Sequence, residues 1–272
     1  MESGIRTMPV WKWALLFLAS LVLSFLVMGV GRGAPSAVPA GWLRSLAAVA
    51  SSAAMLGVYA LFVRWFEGHT VLDLPMRRMA SETAKGLGVG FMYFVVVVGV
   101  MYACGCYRIA SFNNQPAVLV NAFFCGITTA VGEELVFRGV LFRWIDEKWN
   151  FVVALIVSSA LFGLLHLGNP GATWWSSLAI AIEAGLLLGT AYKYSGTLWL
   201  PIGIHWAWNF TQGRIFGISV SGSDSGPSLI NPEISGPEIL TGGDFGAEAS
   251  VIAVVLGAAL SAWYIVKIVR KK

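Results

Sequence analysis

The chain is a series of long apolar stretches separated by short connections that contain glycine, proline or charge. A bilayer core about 30 Å thick needs roughly 20 apolar residues in each helix that crosses it. Eight stretches meet this length, and the pattern predicts helices over residues 11–30, 42–66, 86–109, 117–144, 150–167, 174–193, 197–217 and 250–268. We therefore expect an all-α fold, a polytopic membrane helix bundle of about eight transmembrane helices in one membrane-embedded domain.

The amino-acid composition further restricts the class of protein. The chain is 57% hydrophobic and 12% charged, whereas a soluble domain carries about 25% charged residues. Its aromatic content of 13% also excludes a disordered chain. The basic residues behind the net charge of +4 stand at the ends of apolar stretches and form no basic patch, so we expect membrane lipids and no nucleic acid as partners.

The placement of Lys and Arg predicts the orientation. With the N-terminus inside, and with Arg138 set aside within a helix, the outer side receives Arg32, Arg44, Arg108 and Arg214. The other thirteen of the 18 basic residues fall inside. We expect a bacterial inner (cell) membrane protein with both termini cytoplasmic and residues 218–249 as an extracytoplasmic loop. A secretory signal cleaved near residue 40 is the alternative for the first stretch, which is longer than a usual signal core.

Polar side chains inside the predicted helices are the informative exceptions. An ionised side chain at the bilayer centre costs about 2.5–3.5 kcal/mol or more, and such residues usually face the bundle interior and mark function. Six polar or ionisable side chains lie in the fourth, fifth and seventh predicted helices: Glu133, Glu134, Arg138, His166, His205 and Asn209. Their clustering predicts one shared pocket and a catalytic core over about residues 117–217.

Helix geometry sharpens this cluster. Residues four apart are neighbours on one helix face, so Glu134 is expected to pair with Arg138, and His205 to project beside Asn209. Glu133 lies about 100° further round its helix and is expected to lack its own counter-charge. A carboxylate in that position suits general acid or base catalysis.

Two chemistries fit these residue types. In the first, Glu133 and His166 hold a water molecule while His205 and Asn209 stabilise the developing oxyanion. In the second, Glu133, His166 and His205 ligate a zinc ion and leave one position open for water, with Glu134 as an alternative carboxylate ligand. The His-Glu-x-x-His motif of soluble zinc proteases is absent. Spacing leaves both possibilities open, so zinc is a candidate cofactor and none is required.

The same residues resemble a known family. Glu-Glu-x-x-x-Arg at 133–138, Phe-x-x-x-His at 162–166 and His-x-x-x-Asn at 205–209 resemble, in order, the three signatures of the CAAX-protease and bacteriocin-processing (CPBP, or Abi) family. These are intramembrane proteases related to the type II CAAX prenyl endopeptidase. The resemblance covers roughly residues 117–217.

The resemblance implies an intramembrane endopeptidase that cleaves a membrane-associated peptide or protein substrate, prenylated or bacteriocin-like, in an active site open to the cytoplasm. Glu133 would activate water with Glu134 and Arg138 in support, and His166 would be the second catalytic group. His205 and Asn209 would bind the oxyanion or a metal. Both metalloproteases and metal-free glutamate proteases are described in the family, so the cofactor stays open.

Two other function classes are compatible with buried charges: a proton-coupled membrane transporter, and a catalytically silent scaffold or immunity protein. Glu183, in the sixth predicted helix, matches none of the signatures, and its role is open between site support and a polar contact elsewhere. Gly185 and Gly189 predict a close helix contact, which does not define the oligomeric state. The three cysteines lie in or beside apolar stretches and predict no disulfide framework.

Overall fold

The computed structural model describes residues 4–68, 71–113, 115–224 and 226–271. His69, expected in a solvated connection, lies outside these residues. The α-helices are α1 (Gly4–Thr7), α2 (Val10–Gly33), α3 (Trp42–Phe62), α4 (Met76–Ala103), α5 (Pro116–Glu134), α6 (Arg143–Lys148), α7 (Phe151–Leu165), α8 (Trp174–Ile180), α9 (Leu187–Ser195), α10 (Trp199–Phe210), α11 (Glu238–Thr241) and α12 (Val251–Arg270). Two strands, β1 (Tyr107–Phe112) and β2 (Ile230–Ile234), form an antiparallel pair.

Several of these helices join into continuous membrane-length elements. Within the described residues, seven helical stretches are long and apolar enough to cross a membrane: Val10–Ala37, Trp42–Glu67, Met76–Ala103, Pro116–Lys148, Phe151–Gly168, Trp174–Ser195 and Val251–Arg270. The predicted all-α polytopic bundle is confirmed, and the chain is an integral membrane protein.

The helix predicted over 197–217 is the exception in length. It consists of α10 and one π-helical stretch, Thr211–Ile215. Every residue of α10 from Trp199 to Trp208 is buried. This short helix is therefore surrounded by the longer ones and forms the centre of the bundle.

The boundaries predicted for the third helix, 86–109, are wrong at both ends. Helix α4 begins ten residues earlier, because the polar first turns are stabilised by ion pairs from Arg78 and Lys85 to Glu82 at 3.2 and 3.1 Å. It ends at Ala103, and a turn through Gly105, with φ of +76°, leads into β1. A search for apolar length misses both features.

The loop predicted over 218–249 also has more structure than its polar composition indicates. Strand β2 pairs with β1, with Tyr107 opposite Ile234 and Phe112 opposite Ile230. The long connection between α10 and α12 is thereby joined to the connection between α4 and α5.

Glycines allow the central helix to approach its neighbours closely. A Cβ atom on Gly203 of α10 would lie 2.5 Å from the carbonyl oxygen of Thr83 and 3.0 Å from Cα of Gly86 on α4. A Cβ on Gly185 would lie 2.8 Å from Cα of Ser159 on α7, so the predicted close contact is confirmed and lies within the chain. The Gly203 contact fixes α10 against α4, and the Gly185 contact fixes the sixth membrane-length element against α7.

Both ends of the described chain lie at one end of the bundle. Lys148 donates to the Met8 carbonyl at 2.6 Å, and Lys271 donates to the Tyr194 carbonyl at 3.1 Å. Lys193, next to Tyr194, pairs with Asp146 at 2.5 Å. We call this the terminal end. The opposite end, the loop end, carries the turn after His166 and the connection between α10 and α12.

Candidate active site

A cavity of about 400 Å³ enters the bundle at the loop end. Four of the predicted site residues lie on its lining: Glu133, His166, His205 and Asn209. Glu134 and Arg138 are fully buried directly behind this lining. The structure thus brings the six predicted side chains to one place, from three separate regions of the chain.

Glu133 has a counter-charge that the sequence did not predict. Its Oε1 atom accepts a hydrogen bond from Nη1 of Arg32, on α2, at 3.0 Å. The Glu133 side chain is 13% exposed and that of Arg32 is 43% exposed. The expectation that Glu133 lacks a counter-charge is wrong, because a residue interpreted only as an orientation signal lies on the cavity lining.

The predicted pair of Glu134 and Arg138 is present. Oε1 of Glu134 accepts from Nη1 of Arg138 at 2.9 Å, and both side chains are buried. Nη2 of Arg138 donates to the carbonyl groups of Ala184 and Gly185 at 3.3 and 3.2 Å. Arg138 belongs to a π-helical stretch, Leu135–Phe142, and such stretches are frequent at functional sites.

His205 joins the two adjacent carboxylates. Its Nδ1 atom lies 2.9 Å from Oε1 of Glu134, so Nδ1–H is the donor to that carboxylate. Its Nε2 atom lies 3.7 Å from Oε2 of Glu133, too far for a direct hydrogen bond. The ring is therefore held by the buried carboxylate and faces the cavity with its second nitrogen.

His166 stands at the C-terminal end of α7 rather than within it. The residue begins a 3₁₀ turn, His166–Gly168, and its Nδ1 atom lies 2.7 Å from the Phe162 carbonyl oxygen. The carbonyl can only accept, so Nδ1 donates, and in the neutral imidazole Nε2 is the nitrogen that carries the lone pair. The Phe162 ring packs against the imidazole with 4.7 Å between centroids, as expected from their spacing of four.

Glu248 was not singled out by sequence reasoning, yet it lies on the cavity lining. Its carboxylate accepts from Nε1 of Trp208 at 2.9 Å and from the backbone N–H of Ser221 at 2.6 Å. Burial raises the pKa of the Glu248 carboxyl, and these donors act in the opposite direction. The available sequence signal for a site role was that Glu248 lies three residues before a membrane-length helix. The same loop contains four other acidic residues, and nothing in the sequence favours Glu248 over them.

Glu183 makes a contact away from the lining. Its Oε2 atom lies 2.9 Å from the Tyr93 hydroxyl, which also lies 2.6 Å from the Ala253 carbonyl oxygen. Glu183 is fully buried. It joins the sixth membrane-length element to α4 and α12. Of the two roles that the sequence left open for Glu183, this is the polar contact away from the site.

The zinc ligand set does not assemble here. Over the part of the chain that the structure describes, no group of three His, Cys, Asp or Glu side chains is arranged to hold a metal ion. Glu133 is paired with Arg32, and Nδ1 of His205 is bonded to Glu134. Glu133, His166 and His205, the residues predicted as ligands, are not gathered into such a group among the described residues, while Nε2 of His205 stays open toward the cavity.

The position of the cavity bears on two expectations about orientation. Its lining includes Asn169, Ser221 and Ser223, all at the loop end, and Ser223 is exposed. Both termini lie at the opposite end. Cytoplasmic termini and a cavity that opens to the cytoplasm are therefore incompatible for this bundle, because the two features lie at opposite ends.

Comparison with known proteins finds a similarity over the segment that carries the predicted site residues. Residues 115–211 match the family described as "Type II CAAX prenyl endopeptidase Rce1-like". The chain is 28% identical over 89 residues to a protein of Bacillus subtilis (strain 168) named "Putative membrane peptidase YdiL". That alignment covers 33% of this chain and 34% of the relative, so the chain matches about a third of the relative's length.

The matched segment contains all six predicted site residues. The resemblance predicted from the three motifs is confirmed: over residues 115–211 the chain is similar to the type II CAAX prenyl endopeptidase family.

Proposed function

We propose that the chain is an intramembrane endopeptidase that hydrolyses a peptide bond in a membrane-associated substrate. The observation that carries the proposal is the Glu133 carboxylate on the lining of a cavity that also presents His166, His205 and Asn209. The family matched by residues 115–211 is described as a prenyl endopeptidase of the CAAX type. A peptide with a lipidated cysteine near its C-terminus is therefore the first substrate class to test, and an unmodified membrane peptide is the second.

In the proposed mechanism Glu133 is the general base. Arg32 holds Oε1 of the carboxylate, and Oε2 faces Nε2 of His205 across 3.7 Å. A water molecule bonded to Oε2 loses its proton to that oxygen as it attacks the carbonyl carbon of the substrate. Nε2 of the neutral His166 ring accepts a hydrogen bond from the other O–H of the water and orients the molecule.

His205 and Asn209 stabilise the oxyanion that forms. Glu134 fixes the orientation of the His205 ring and stabilises its protonated form, in which Nε2–H is a donor. The Asn209 side-chain amide is a second donor on the same face of α10. The tetrahedral intermediate collapses when Glu133 returns its proton to the leaving amine and the carbon–nitrogen bond breaks. Each step uses groups of this chain.

The test is cleavage by purified protein in liposomes. Two internally quenched peptides of identical sequence, one with a farnesylated cysteine and one unmodified, would be compared with mass spectrometry of the products. We expect cleavage by the wild type and its loss in E133Q and H166A, with unchanged melting temperatures. Full activity in both variants would refute the proposal, as would Glu133-dependent proton flux without cleavage, which identifies a transporter.

We also propose an orientation in a bacterial cell membrane. The excess of Lys and Arg at the terminal end favours cytoplasmic termini, so the cavity would open on the outer side. In a variant without native cysteines, S223C should react with a membrane-impermeant maleimide added to intact cells. Labelling that appears only after cell lysis would contradict this orientation and place the cavity on the cytoplasmic side.

A further inference from the structure

The connection between α10 and α12 folds back over the mouth of the cavity. Its residues 219–223, which we call the roof segment, include Val220, Ser221 and Ser223 of the cavity lining. Ser221 has φ of +48° and is the non-glycine residue with positive φ in the described part of the chain. Such a conformation costs free energy, persists only where neighbouring contacts impose it, and is concentrated at functional sites.

Contacts from three directions hold the roof segment. Glu248 accepts through Oε2 from both the backbone N–H and the hydroxyl of Ser221, at 2.6 and 3.1 Å. Asn169 donates to the Ser221 carbonyl at 3.0 Å, and Gln212 donates to the Ser219 carbonyl. All three polar groups of Ser221 are thus bonded to residues outside the segment.

Glu248 also connects the roof segment to the catalytic elements. Its Oε1 atom accepts from Nε1 of Trp208, the residue before Asn209 on α10. On the other side, Asn169 lies three residues after His166. The Glu248 side chain is buried, and both of its oxygens accept hydrogen bonds from the protein. Because both carboxylate oxygens accept from protein donors, Glu248 acts on a substrate through the roof segment that it holds.

We propose that Glu248 is a positioning residue that determines substrate binding by holding the roof segment at a fixed distance from Glu133. The inference rests on the proposed endopeptidase function. A peptide in the cavity lies between the roof segment and Glu133, so a fixed roof orders the peptide before reaction and lowers the entropy lost on binding. Loosening the roof weakens binding more than it slows the chemical step.

The variant E248Q tests this role because its side chain keeps its size but replaces one acceptor oxygen with a donor. We expect faster hydrogen exchange in the peptide that contains residues 219–223. For the quenched peptides, KM should rise about tenfold while kcat changes less than about threefold, because the lost hydrogen bonds order the substrate rather than stabilise the transition state. The variant S221A, which removes one donor, should raise KM about threefold.

The matched control is E238Q, which alters an exposed acid of the same connection. It should leave hydrogen exchange and kinetics unchanged.

An unchanged KM in E248Q despite faster exchange would overturn the inference, as would a loss of kcat alone. If E248Q fails to fold, an unchanged KM in S221A overturns it instead. Failure of the proposed function is seen separately, as a wild type that cleaves neither peptide and does not differ from E133Q. Wild-type cleavage with an unaltered E248Q refutes only the role of Glu248.

Discussion

Two clusters of charged residues lie at opposite ends of the same bundle, and they use their hydrogen-bonding capacity differently. At the terminal end, Arg143 donates from Nη1 and Nη2 to the two oxygens of Glu67, both at 2.6 Å, and from Nε to the Gly139 carbonyl at 2.8 Å. The Tyr59 hydroxyl donates to Asp73 at 2.6 Å. Burial raises the pKa of the Asp73 carboxyl, while the Arg143 guanidinium acts in the opposite direction.

The cavity cluster leaves some of its capacity unused. Nε2 of His205 and Oε2 of Glu133 face each other at 3.7 Å without a direct bond, and Nε2 of the neutral His166 ring has a lone pair. Charge inside a membrane protein therefore does not by itself mark a reaction centre. A cluster whose groups are bonded to one another favours stability, whereas a cluster with free lone pairs at a cavity can act on a substrate.

The largest expected effect separates the two clusters by activity. E133Q should lower kcat/KM by about 10³-fold or more, since a general base contributes roughly 10²–10⁴-fold, while the melting temperature stays within a few degrees. Cleavage rates and thermal unfolding in the same detergent would measure both. A residual activity above a tenth of the wild-type value would remove Glu133 from its proposed role.

The second prediction concerns stability at the terminal end. R143M should lower the free energy of unfolding by about 3 kcal/mol or more, because Glu67 and Asp73 would be left buried without their guanidinium partner. The kcat of the folded fraction should stay within about twofold of the wild type. Denaturant titration gives the first quantity and active-site-normalised rates the second. A stable but inactive R143M would mean that the two clusters are coupled.

A smaller effect is expected where α2 meets the cavity. R32M should lower kcat about tenfold, because Oε1 of Glu133 loses its charged donor and the carboxylate its fixed orientation. R32K, which keeps the charge, should recover part of that loss. R44M is the matched control, since Arg44 bonds to the Val38 carbonyl away from the cavity. Equal rates for R32M and wild type would show that the ion pair has no part in the reaction.

The smallest change is expected on metal removal. Because the residues predicted as zinc ligands do not assemble into a site, activity after dialysis against a chelator should stay within about twofold of the untreated value, a change of less than about 0.5 kcal/mol. Elemental analysis of the same sample reports the residual metal. Loss of activity on chelation, with recovery on adding zinc alone, would contradict this and restore a metal-dependent mechanism.

Sequence reasoning was successful where a contact depends on one helix. The pairing of Glu134 with Arg138 and the shared direction of His205 and Asn209 follow from the helical repeat. The contact of Arg32 with Glu133 joins residues 101 positions apart and depends on how two helices lie side by side, which hydropathy does not encode.

The same limit applies to the loop end. Glu248 reaches the cavity only because the connection between α10 and α12 turns back across the bundle, and a polar, glycine-rich segment carries no periodic signal of that path. Hydropathy located all eight predicted helices but misplaced both ends of α4, because its first turns are polar and held by ion pairs and a turn through Gly105 follows its end. Apolar length reports what lies in lipid, not where a helix begins.

Helix α2 has one further consequence for the site. Only Trp13, Ser20 and Gly31 of its 24 residues are buried, and half-buried residues such as Phe17 pack against the core, yet it carries the Arg32 guanidinium to the cavity. The wall that supplies the positive charge is thus also the one that can be displaced with the least loss of packing. A sideways shift of α2 would open the cavity toward the acyl chains and uncover Glu133 in the same movement.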